Sequence, residues 1–240
     1  MIIYGKNMVL EAIKNKREIV QLLISKNNEA IVNQYISNAN IKISSIKIVS
    51  NKDLDNIVNG LHQGMIAYVQ EYQYEDINNL VNRLKDKENV SFAILDGLED
   101  PHNLGAILRT CDAAGIDGII IPKNRSVSLN QTVAKVSTGA IEYVPVCQVT
   151  NLKQTMDFLK KNNYWIIGLE LDGSIDYKKQ DYSGKIAVVI GSEGKGISQI
   201  VKQNCDFLVN IPMHGHVNSL NASVSCGILA YEIVRQRRGK

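Results

Sequence analysis

Three glycine-rich loops in the C-terminal part of the chain carry the side chains that could do chemistry. They read DGLEDPHNLGAILRTCDAAG from Asp96, VVIGSEGKGIS from Val188 and IPMHGHVNSLNASVSCGILAYEI from Ile211. Each begins where an apolar, β-branched run ends, and each carries polar side chains into the turn that follows. Proteins of the α/β class place ligands at such strand ends, because backbone groups there point outward and unpaired. The pattern predicts one site assembled from all three loops.

The first loop offers an amide and a guanidinium. Asn103 follows the helix-start signal Pro101, so it is either a helix N-cap or a ligand-binding amide. Arg109 lies inside the helix that follows, where an ordinary surface arginine is the default. Its planar fork of donors would also suit an anionic ligand. Both roles stay open for each residue.

The second loop places Gly191, Gly194 and Gly196 around Glu193. The spacing is not GxGxxG, and no GK[ST] ending follows, so neither dinucleotide nor P-loop binding is indicated. Glycines directly after a strand let the backbone approach a ligand closely, and the carboxylate could bind a ribose hydroxyl or a base edge. A plain flexible turn explains this loop equally well on its own.

The third loop carries polar side chains directly before a long helix: His214, His216, Asn218, Ser219 and Asn221. Ser219 or Asn221 could be a simple N-cap. A Ser–His catalytic pair is disfavoured because no GxSxG elbow accompanies it. The histidines have no partners at metal-ligand spacing, so we expect no metal site.

The composition is that of a folded, mildly basic protein. The chain has 240 residues, 45% hydrophobic and 21% charged, with a formal net charge of +3. These values argue against a disordered or fibrous chain and permit a polyanionic partner. The sequence has no run of roughly 18 apolar residues and no secretory signal pattern, so we expect no membrane segment. Four scattered cysteines without a CxxC pair are typical of reduced thiols in a cytoplasmic protein.

The alternation of apolar runs predicts two α/β blocks joined by a polar segment. Residues 1–72 form a small N-terminal domain, residues 73–89 a linker with a short helix, and residues 90–240 a larger domain. The first block has helices predicted at 8–14, 29–37 and 53–58 and strands at 19–24, 46–49 and 66–70. The second has strands predicted at 92–95, 118–121, 143–146, 165–169, 186–190 and 207–211, and helices at 104–114, 152–161, 198–204 and 222–236. Its near-continuous hydrophobic strands indicate a mostly parallel sheet covered on both faces by helices.

Taken together, the three loops resemble a known family. NLGAILRT, GSEGKGIS and IPMHGHVNSLNASVS are similar, in order and spacing, to the signature motifs of the SpoU family of RNA ribose 2′-O-methyltransferases in the SPOUT class. The opening YGKNMVLEAI and the segment HQGMIAYV resemble the N-terminal RNA-binding domain of bacterial 23S rRNA guanosine-2′-O-methyltransferases, related to kink-turn-binding ribosomal proteins. The resemblance thus covers the whole chain, the second block more securely than the first.

The resemblance implies a deep trefoil knot, made from the second and third loops, that binds S-adenosyl-L-methionine. Physical reasoning alone would not predict it, because knotted chains are rare. By matching positions, cofactor contacts fall to Thr138, Gly139, Gly191, Ile211 and Leu220. Catalysis and substrate binding fall to Asn103, Arg109, Glu193, Ser219 and Asn221. A guanidinium pKa above about 12 makes Arg109 an unsuitable proton acceptor, so we favour its binding the substrate phosphate and hydroxyl.

The resemblance also implies partners: RNA, with a guanosine of 23S rRNA as the expected target, and a second copy of the chain in a homodimer. A tRNA ribose methyltransferase is the nearest alternative. The short basic tail (Arg235, Arg237, Arg238 and Lys240) argues against it, because tRNA enzymes often carry longer basic extensions. A non-catalytic RNA-binding protein on the same fold is the alternative from another class. It would be expected to have degraded loops, whereas every catalytic-type residue is present.

Overall fold

The structure, a computed structural model, describes residues 1–171 and 175–238. The chain divides into two compact units. The first comprises Met1–Gln73 together with Leu129–Tyr143, and the second comprises Tyr74–Ser128 and Val144–Lys240. Of the basic tail, Lys240 lies outside the described residues.

The first unit is a small α/β sheet domain. Its first 73 residues contain β1 (Ile2–Tyr4), α1 (Lys6–Lys14), β2 (Ile19–Ile24), α2 (Glu29–Ala39), β3 (Ile46–Ile48), α3 (Asn51–Asp55) and β4 (Met65–Val69). The strand order is β1-β4-β2-β3, antiparallel except for the pair β2–β3. The strand predicted at 19–24 has the bounds that the structure gives. The three-residue β1 was not predicted, since so short a run shows no periodicity.

The remaining elements follow the predicted alternation. They are α4 (Ile77–Arg83), β5 (Val90–Asp96), α5 (Pro101–Ala114), β6 (Gly118–Pro122), α6 (Gln131–Val136), β7 (Val146–Val149), α7 (Leu152–Lys161), β8 (Trp165–Leu169), β9 (Ile175–Asp176), β10 (Lys185–Gly191), α8 (Gln199–Gln203), β11 (Phe207–Asn210) and α9 (Ala222–Arg238). All belong to the second unit except α6, which lies in the 129–143 segment of the first.

The second unit is built on a seven-stranded sheet of order β7-β6-β5-β10-β8-β11-β9. Every pairing in it is parallel, which confirms the predicted α/β class with a mostly parallel sheet. Parallel strands present all their carboxyl ends at one edge. In the register, Gly191 at the end of β10 lies opposite Asp96 at the end of β5, so the first and second loops leave the sheet at the same level.

One strand prediction was wrong. Residues 143–146 were expected to be extended, but a 3-10 turn at Ala140–Glu142 precedes Tyr143, and β7 begins only at Val146. Gly139, with φ 99°, starts that turn, which is a backbone conformation that a continuous strand does not contain. Within the run, Val144 and Val146 are buried and Tyr143 is 42% exposed, and of these three only Val146 pairs with a neighbouring strand.

The 129–143 segment is held inside the first unit by a buried ion pair. Arg17 Nη1 lies 2.9 Å from Glu142 Oε1, and their side chains are only 9% and 8% exposed. The Arg17 guanidinium also stacks on the ring of Tyr72 at 3.5 Å, and the Tyr72 hydroxyl donates to Glu142 over 2.9 Å. Each buried charge thus has both an opposite charge and a further polar partner, as burial requires.

The C-terminal helix is fastened by a half-buried arginine. Arg237 donates to the carbonyls of Tyr182, Val90 and Gly184 and to the Ser91 hydroxyl, over 2.9–3.3 Å. Burial lowers the pKa of its guanidinium from the ordinary value. This basic residue therefore holds α9 against the start of β5 and the loop that precedes β10, and it is not part of a free basic tail.

Replacing Arg237 with alanine should destabilise the protein, because three carbonyls would lose a charged donor. We expect a loss of about 2–3 kcal/mol in the free energy of unfolding. For a chain of this length, that lowers the Tm by roughly 5–10 °C. Thermal unfolding followed by circular dichroism measures the shift. The exposed neighbour Arg238 provides the control: Arg238→Ala should leave the Tm unchanged, and an equal shift in both variants would contradict the assigned role.

Candidate active site

The second loop forms a closed turn after β10. Ser192 and Gly196 exchange backbone hydrogen bonds of 3.2 and 3.0 Å, and Gly194 and Gly196 adopt positive φ angles of 82° and 65°. A Cβ atom on Gly191 would lie 2.0 Å from the carbonyl carbon of Gly196. Glycine is required at 191 because the returning backbone occupies the space where a side chain would stand.

A cavity of about 270 Å³, here called the loop cavity, lies between this turn, the third loop and the end of β8. It is close to the lower end of the range of roughly 300–1,000 Å³ typical of ligand pockets. Its walls combine apolar side chains with glycine backbone and two carboxylates. The lining residues are 169–171, 190–196, 211, 213, 218–220, 222 and 225.

A larger groove of about 820 Å³, the strand-end groove, crosses the carboxyl ends of β5, β6, β7 and β10. Its lining includes residues 96–100, 103, 122, 124, 125, 150–153 and 192–193. Four residues of the 192–196 turn line both spaces: Ser192, Glu193, Lys195 and Gly196. The turn is therefore a shared wall between the loop cavity and the strand-end groove.

An amide–carboxylate cluster stands at this wall. The Asn103 amide donates to Glu193 Oε1 over 2.9 Å, and the Asn221 amide donates both to the same carboxylate and to Asn103 Oδ1, the latter over 2.9 Å. One residue comes from each of the three loops, so the structure brings together the loops that the sequence predicted to share a site. Asn103 is 6% exposed, and its burial among polar partners fixes its orientation.

Asn103 and Asn221 were both possible helix N-caps, and only Asn221 is one. Helix α5 begins at Pro101, three residues before its predicted start, and its N-cap is Asp100, whose carboxylate accepts from the His102 backbone over 2.8 Å. This hydrogen bond holds the pKa of Asp100 below its ordinary value. Asn103 is therefore not a cap. Asn221 does cap α9, since its Oδ1 accepts from the Ser223 backbone over 2.9 Å while its amide serves the cluster.

The remaining predicted catalytic residues lie at the surface. Ser219 is exposed and lines the loop cavity. Arg109 is exposed on α5, six residues beyond Asn103, and lines neither the loop cavity nor the strand-end groove. His214 and His216 are exposed in the third loop and line neither space. A single chain thus gathers four of the five predicted catalytic residues and leaves Arg109 outside.

The predicted cofactor residues divide into two groups. Gly191, Ile211 and Leu220 line the loop cavity. Thr138 and Gly139 are not among the residues that line it; they belong to the first unit and have positive φ angles, of 51° and 99°. A Cβ on Gly139 would come within 3.0 Å of the Glu11 side chain. In this structure the glycine therefore serves packing against α1.

Two cavity residues were missed by the sequence reasoning. Glu170 directly follows β8, and its carboxylate lies 3.4 Å from the Lys202 ammonium. Lys195 stands in the shared turn and lines both spaces. Glu170 could have been predicted from the sequence, since the residue that follows a parallel strand lies at the ligand-binding edge of the sheet.

Thiol chemistry is disfavoured at neutral pH. All four cysteines are unpaired as disulfides, and burial raises the pKa of Cys147 and Cys205 to about 12. A hydrogen bond with Cys226, together with burial, raises the pKa of Cys111. These three side chains therefore remain thiols rather than nucleophilic thiolates.

In residues 1–171 and 175–238, no three or more His, Cys, Asp or Glu side chains are grouped as metal ligands. No helix in the described part of the chain is long and apolar enough to cross a bilayer.

Two family models match the chain. The SpoU rRNA Methylase family matches residues 91–231, and the domain described as RNA 2′-O ribose methyltransferase substrate binding matches residues 2–75. Together they cover both of the units that the structure separates, apart from the linking residues and the C-terminal end.

Individual relatives agree with the family models. A protein of Staphylococcus haemolyticus, named as a TrmH family tRNA/rRNA methyltransferase, is 48% identical over 239 residues, 99% of this chain and 96% of its own. The AdoMet-bound rRNA methyltransferase of Sinorhizobium meliloti has the same fold, with a TM-score of 0.81 at 22% identity over 98% of this chain and 86% of that one. The A. aeolicus TrmH/SpoU tRNA modifying enzyme matches only 68% of this chain and 84% of its own, with a TM-score of 0.57 at 28% identity.

The loops, the parallel sheet and the substrate-binding unit all agree with these matches. The chain belongs to the SpoU/TrmH family of RNA 2′-O-ribose methyltransferases.

Proposed function

We propose that the protein transfers a methyl group from S-adenosylmethionine to the ribose 2′-hydroxyl of a guanosine in 23S rRNA. The observation that carries the proposal is the cluster of Asn103, Glu193 and Asn221 at the wall between the loop cavity and the strand-end groove. A methyl donor in the loop cavity and a ribose in the strand-end groove would meet at this wall. Residues that touch both partners are what a group-transfer reaction needs.

The loop cavity fits the methyl donor. Ile190, Ile211 and Leu220 offer an apolar surface for an adenine ring, and Gly191 brings bare backbone to the wall. The carboxylates of Glu170 and Glu193 could accept hydrogen bonds from ribose hydroxyls. S-adenosylmethionine supplies an electrophilic methyl group on a positively charged sulfur, and two nearby carboxylates favour that charge. The knot formed by the second and third loops is part of this proposal.

The polar cluster would orient the ribose and stabilise charge on its oxygen. A 2′-hydroxyl is a poor nucleophile, so the site must hold its oxygen in line with the methyl group and stabilise developing alkoxide character. Asn103 and Asn221 are held by Glu193, so their positions are set before substrate binds. Ser219, exposed at the cavity mouth, would contact the same nucleotide.

In this proposal Arg109 takes part in the reaction only in a homodimer. It is exposed on α5 and does not line the loop cavity of its own chain. Helix α9 packs against α5 and carries two exposed hydrophobic side chains, Val224 (49% exposed) and Tyr231 (53% exposed). We propose that a second copy covers this face and that each Arg109 reaches the partner's site, where its guanidinium binds the substrate phosphate and hydroxyl.

The coverage of the relatives supports rRNA over tRNA. The Sinorhizobium rRNA enzyme matches 98% of this chain, whereas the A. aeolicus tRNA enzyme matches 68%. The N-terminal unit therefore has a counterpart in the full-length match to an rRNA enzyme. The guanosine rests on the resemblance to the bacterial 23S rRNA guanosine methyltransferases.

Mass spectrometry of rRNA and tRNA from a deletion strain tests the target. We expect one 2′-O-methylguanosine to disappear from 23S rRNA and to return when the gene is restored. Loss of a modified nucleoside from tRNA alone would overturn the rRNA assignment. RNA affinity should also fall as salt rises, because phosphate contacts release counterions.

A further inference from the structure

The strand-end groove contains a carboxylate that is available to a ligand. Three other acidic side chains of its lining are engaged: Asp96, Asp100 and Glu193 each accept a hydrogen bond from an N–H group, over 2.7, 2.8 and 2.9 Å. Glu99 lines the same groove and is exposed, and its side chain has no hydrogen bond or ion pair within residues 1–171 and 175–238. Its two oxygens are therefore free to accept hydrogen bonds from a bound molecule.

The groove also contains a free guanidinium on a loop that is held at both ends. The Lys123 backbone donates to the Val149 carbonyl over 2.8 Å, and the Val127 backbone donates to the Leu98 carbonyl over 2.8 Å. Arg125 lies between these two anchors, with a left-handed φ of 55° that non-glycine residues rarely adopt. Its side chain is exposed in the groove and has no partner in the described part of the chain.

Glu99 and Arg125 stand on loops that are hydrogen-bonded to each other. Leu98, which accepts from Val127, directly precedes Glu99, and Val127 is two residues beyond Arg125. Despite their opposite charges, Glu99 and Arg125 form no ion pair with each other within the ranges that the structure describes. The two side chains can therefore bind separate polar edges of one ligand.

The same groove offers an apolar surface. Ile200, in the first turn of α8, is 62% exposed and belongs to the lining of the groove. A base that has been taken out of its stack is bound through its face by an apolar or aromatic side chain and through its edges by hydrogen bonds. Ile200, Glu99 and Arg125 together supply such a surface, an acceptor pair and a donor pair.

We propose that Glu99 and Arg125 select guanine as the base of the nucleotide that is methylated. Glu99 accepts from the N1–H and N2–H groups of the base, Arg125 donates to its O6 and N7 atoms, and Ile200 packs against its face. Among the four bases only guanine has two adjacent donors on its Watson–Crick edge, and its O6 and N7 atoms match the fork of an arginine. The inference rests on the proposed methylation of a guanosine and names the side chains that choose it.

Altering single atoms of the target base tests the proposal. The probe is protein-free 23S rRNA rebuilt by ligation, in which the methylated guanosine is kept or is replaced with inosine or 7-deazaguanosine. Inosine lacks the N2 amino group, 7-deazaguanosine lacks the N7 acceptor, and the ribose is the same in all three. For the wild-type protein we expect each replacement to lower kcat/KM for methyl transfer by about tenfold.

The variants should each lose one of these two preferences. Glu99→Ala should methylate guanosine and inosine equally well and still discriminate against 7-deazaguanosine, whereas Arg125→Ala should show the reverse. Glu88→Ala is the control, because Glu88 is an exposed carboxylate of the same unit that does not line the groove. It should keep both preferences. Loss of a merely structural contact would not change which base atom is recognised.

The outcomes separate the inference from the proposed function. Equal kcat/KM for guanosine and inosine in the wild-type protein, or an unchanged preference in Glu99→Ala, would overturn selection by Glu99. If Arg125→Ala slowed all three RNAs by the same factor, Arg125 would contact a phosphate, and its assignment to the base would be wrong. Methylation of a nucleoside other than guanosine, or no transfer to rRNA by the wild-type protein, would instead overturn the proposed function itself.

Discussion

Replacing Arg109 with alanine should lower the rate of methyl transfer by about 10²–10³-fold, the usual effect of removing one donor from a developing oxyanion. The affinity for S-adenosylmethionine should stay unchanged, because the proposed partner of the Arg109 guanidinium is the RNA phosphate and hydroxyl, and not the methyl donor. Single-turnover transfer of labelled methyl groups measures the rate, and calorimetry measures the affinity. Arg238→Ala, another exposed arginine, is the matched control and should be fully active.

Mixing variants tests whether Arg109 acts across a dimer. Arg109→Ala and Asn221→Ala should each be inactive alone. If each site combines Arg109 from one copy with Asn221 from the other, mixed dimers regain one intact site, and the mixture reaches about a quarter of wild-type activity. No recovery in refolded mixtures would place both residues in one chain. A fully active monomer in analytical ultracentrifugation would rule out the dimer altogether.

Replacing Gly191 with alanine should abolish cofactor binding. The added Cβ would lie 2.0 Å from the Gly196 carbonyl carbon and 2.4 Å from the Ile197 nitrogen. Both are backbone atoms that no rotamer change can move, so the 192–196 turn must open. Opening it displaces Glu193 and the wall of the loop cavity. We expect cofactor affinity to fall by at least about 100-fold, measured by calorimetry, as for a site that loses its preorganised geometry.

Gly215 provides the matched control for Gly191. It lies in the third loop at a negative or extended φ, and a Cβ there would meet no atom within 4 Å. Gly215→Ala should bind the cofactor like the wild type. Wild-type affinity in the Gly191→Ala variant, with an unchanged Tm, would show that the methyl donor does not depend on the 192–196 turn.

The strands of the parallel sheet could be predicted from the sequence because strands buried on both faces are continuous runs of apolar residues. The strand at 165–169 was predicted with the bounds of β8. Strands β5 and β10 are each one or two residues longer at either end than predicted. The start of α5 was placed three residues too late: Pro101 was identified as a helix-start signal, but the cap is Asp100, directly before it, and not Asn103. The strand predicted at 143–146 was placed three residues too early, because Val144 is apolar and buried like Val146, although β7 begins only at Val146.

For the candidate site, the sequence predicted which residue types would come together but not which side chains would contact each other. Three loops at one edge follow from parallel strand order. By contrast, the shared carboxylate of Glu193 between Asn103 and Asn221 depends on the register of β5 and β10 and on the path of the third loop. Local sequence encodes neither. The exposure of Arg109 likewise depends on which face of α5 packs against α9.

The most direct test of methylation at the ribose is transfer from labelled S-adenosylmethionine to protein-free 23S rRNA. Nuclease digestion and mass spectrometry then identify the modified nucleoside. We predict label in a single 2′-O-methylguanosine, lost in the Arg109→Ala and Asn221→Ala variants. Label on a base atom, or transfer that persists in both variants, would contradict ribose methylation by the cluster at the wall of the loop cavity.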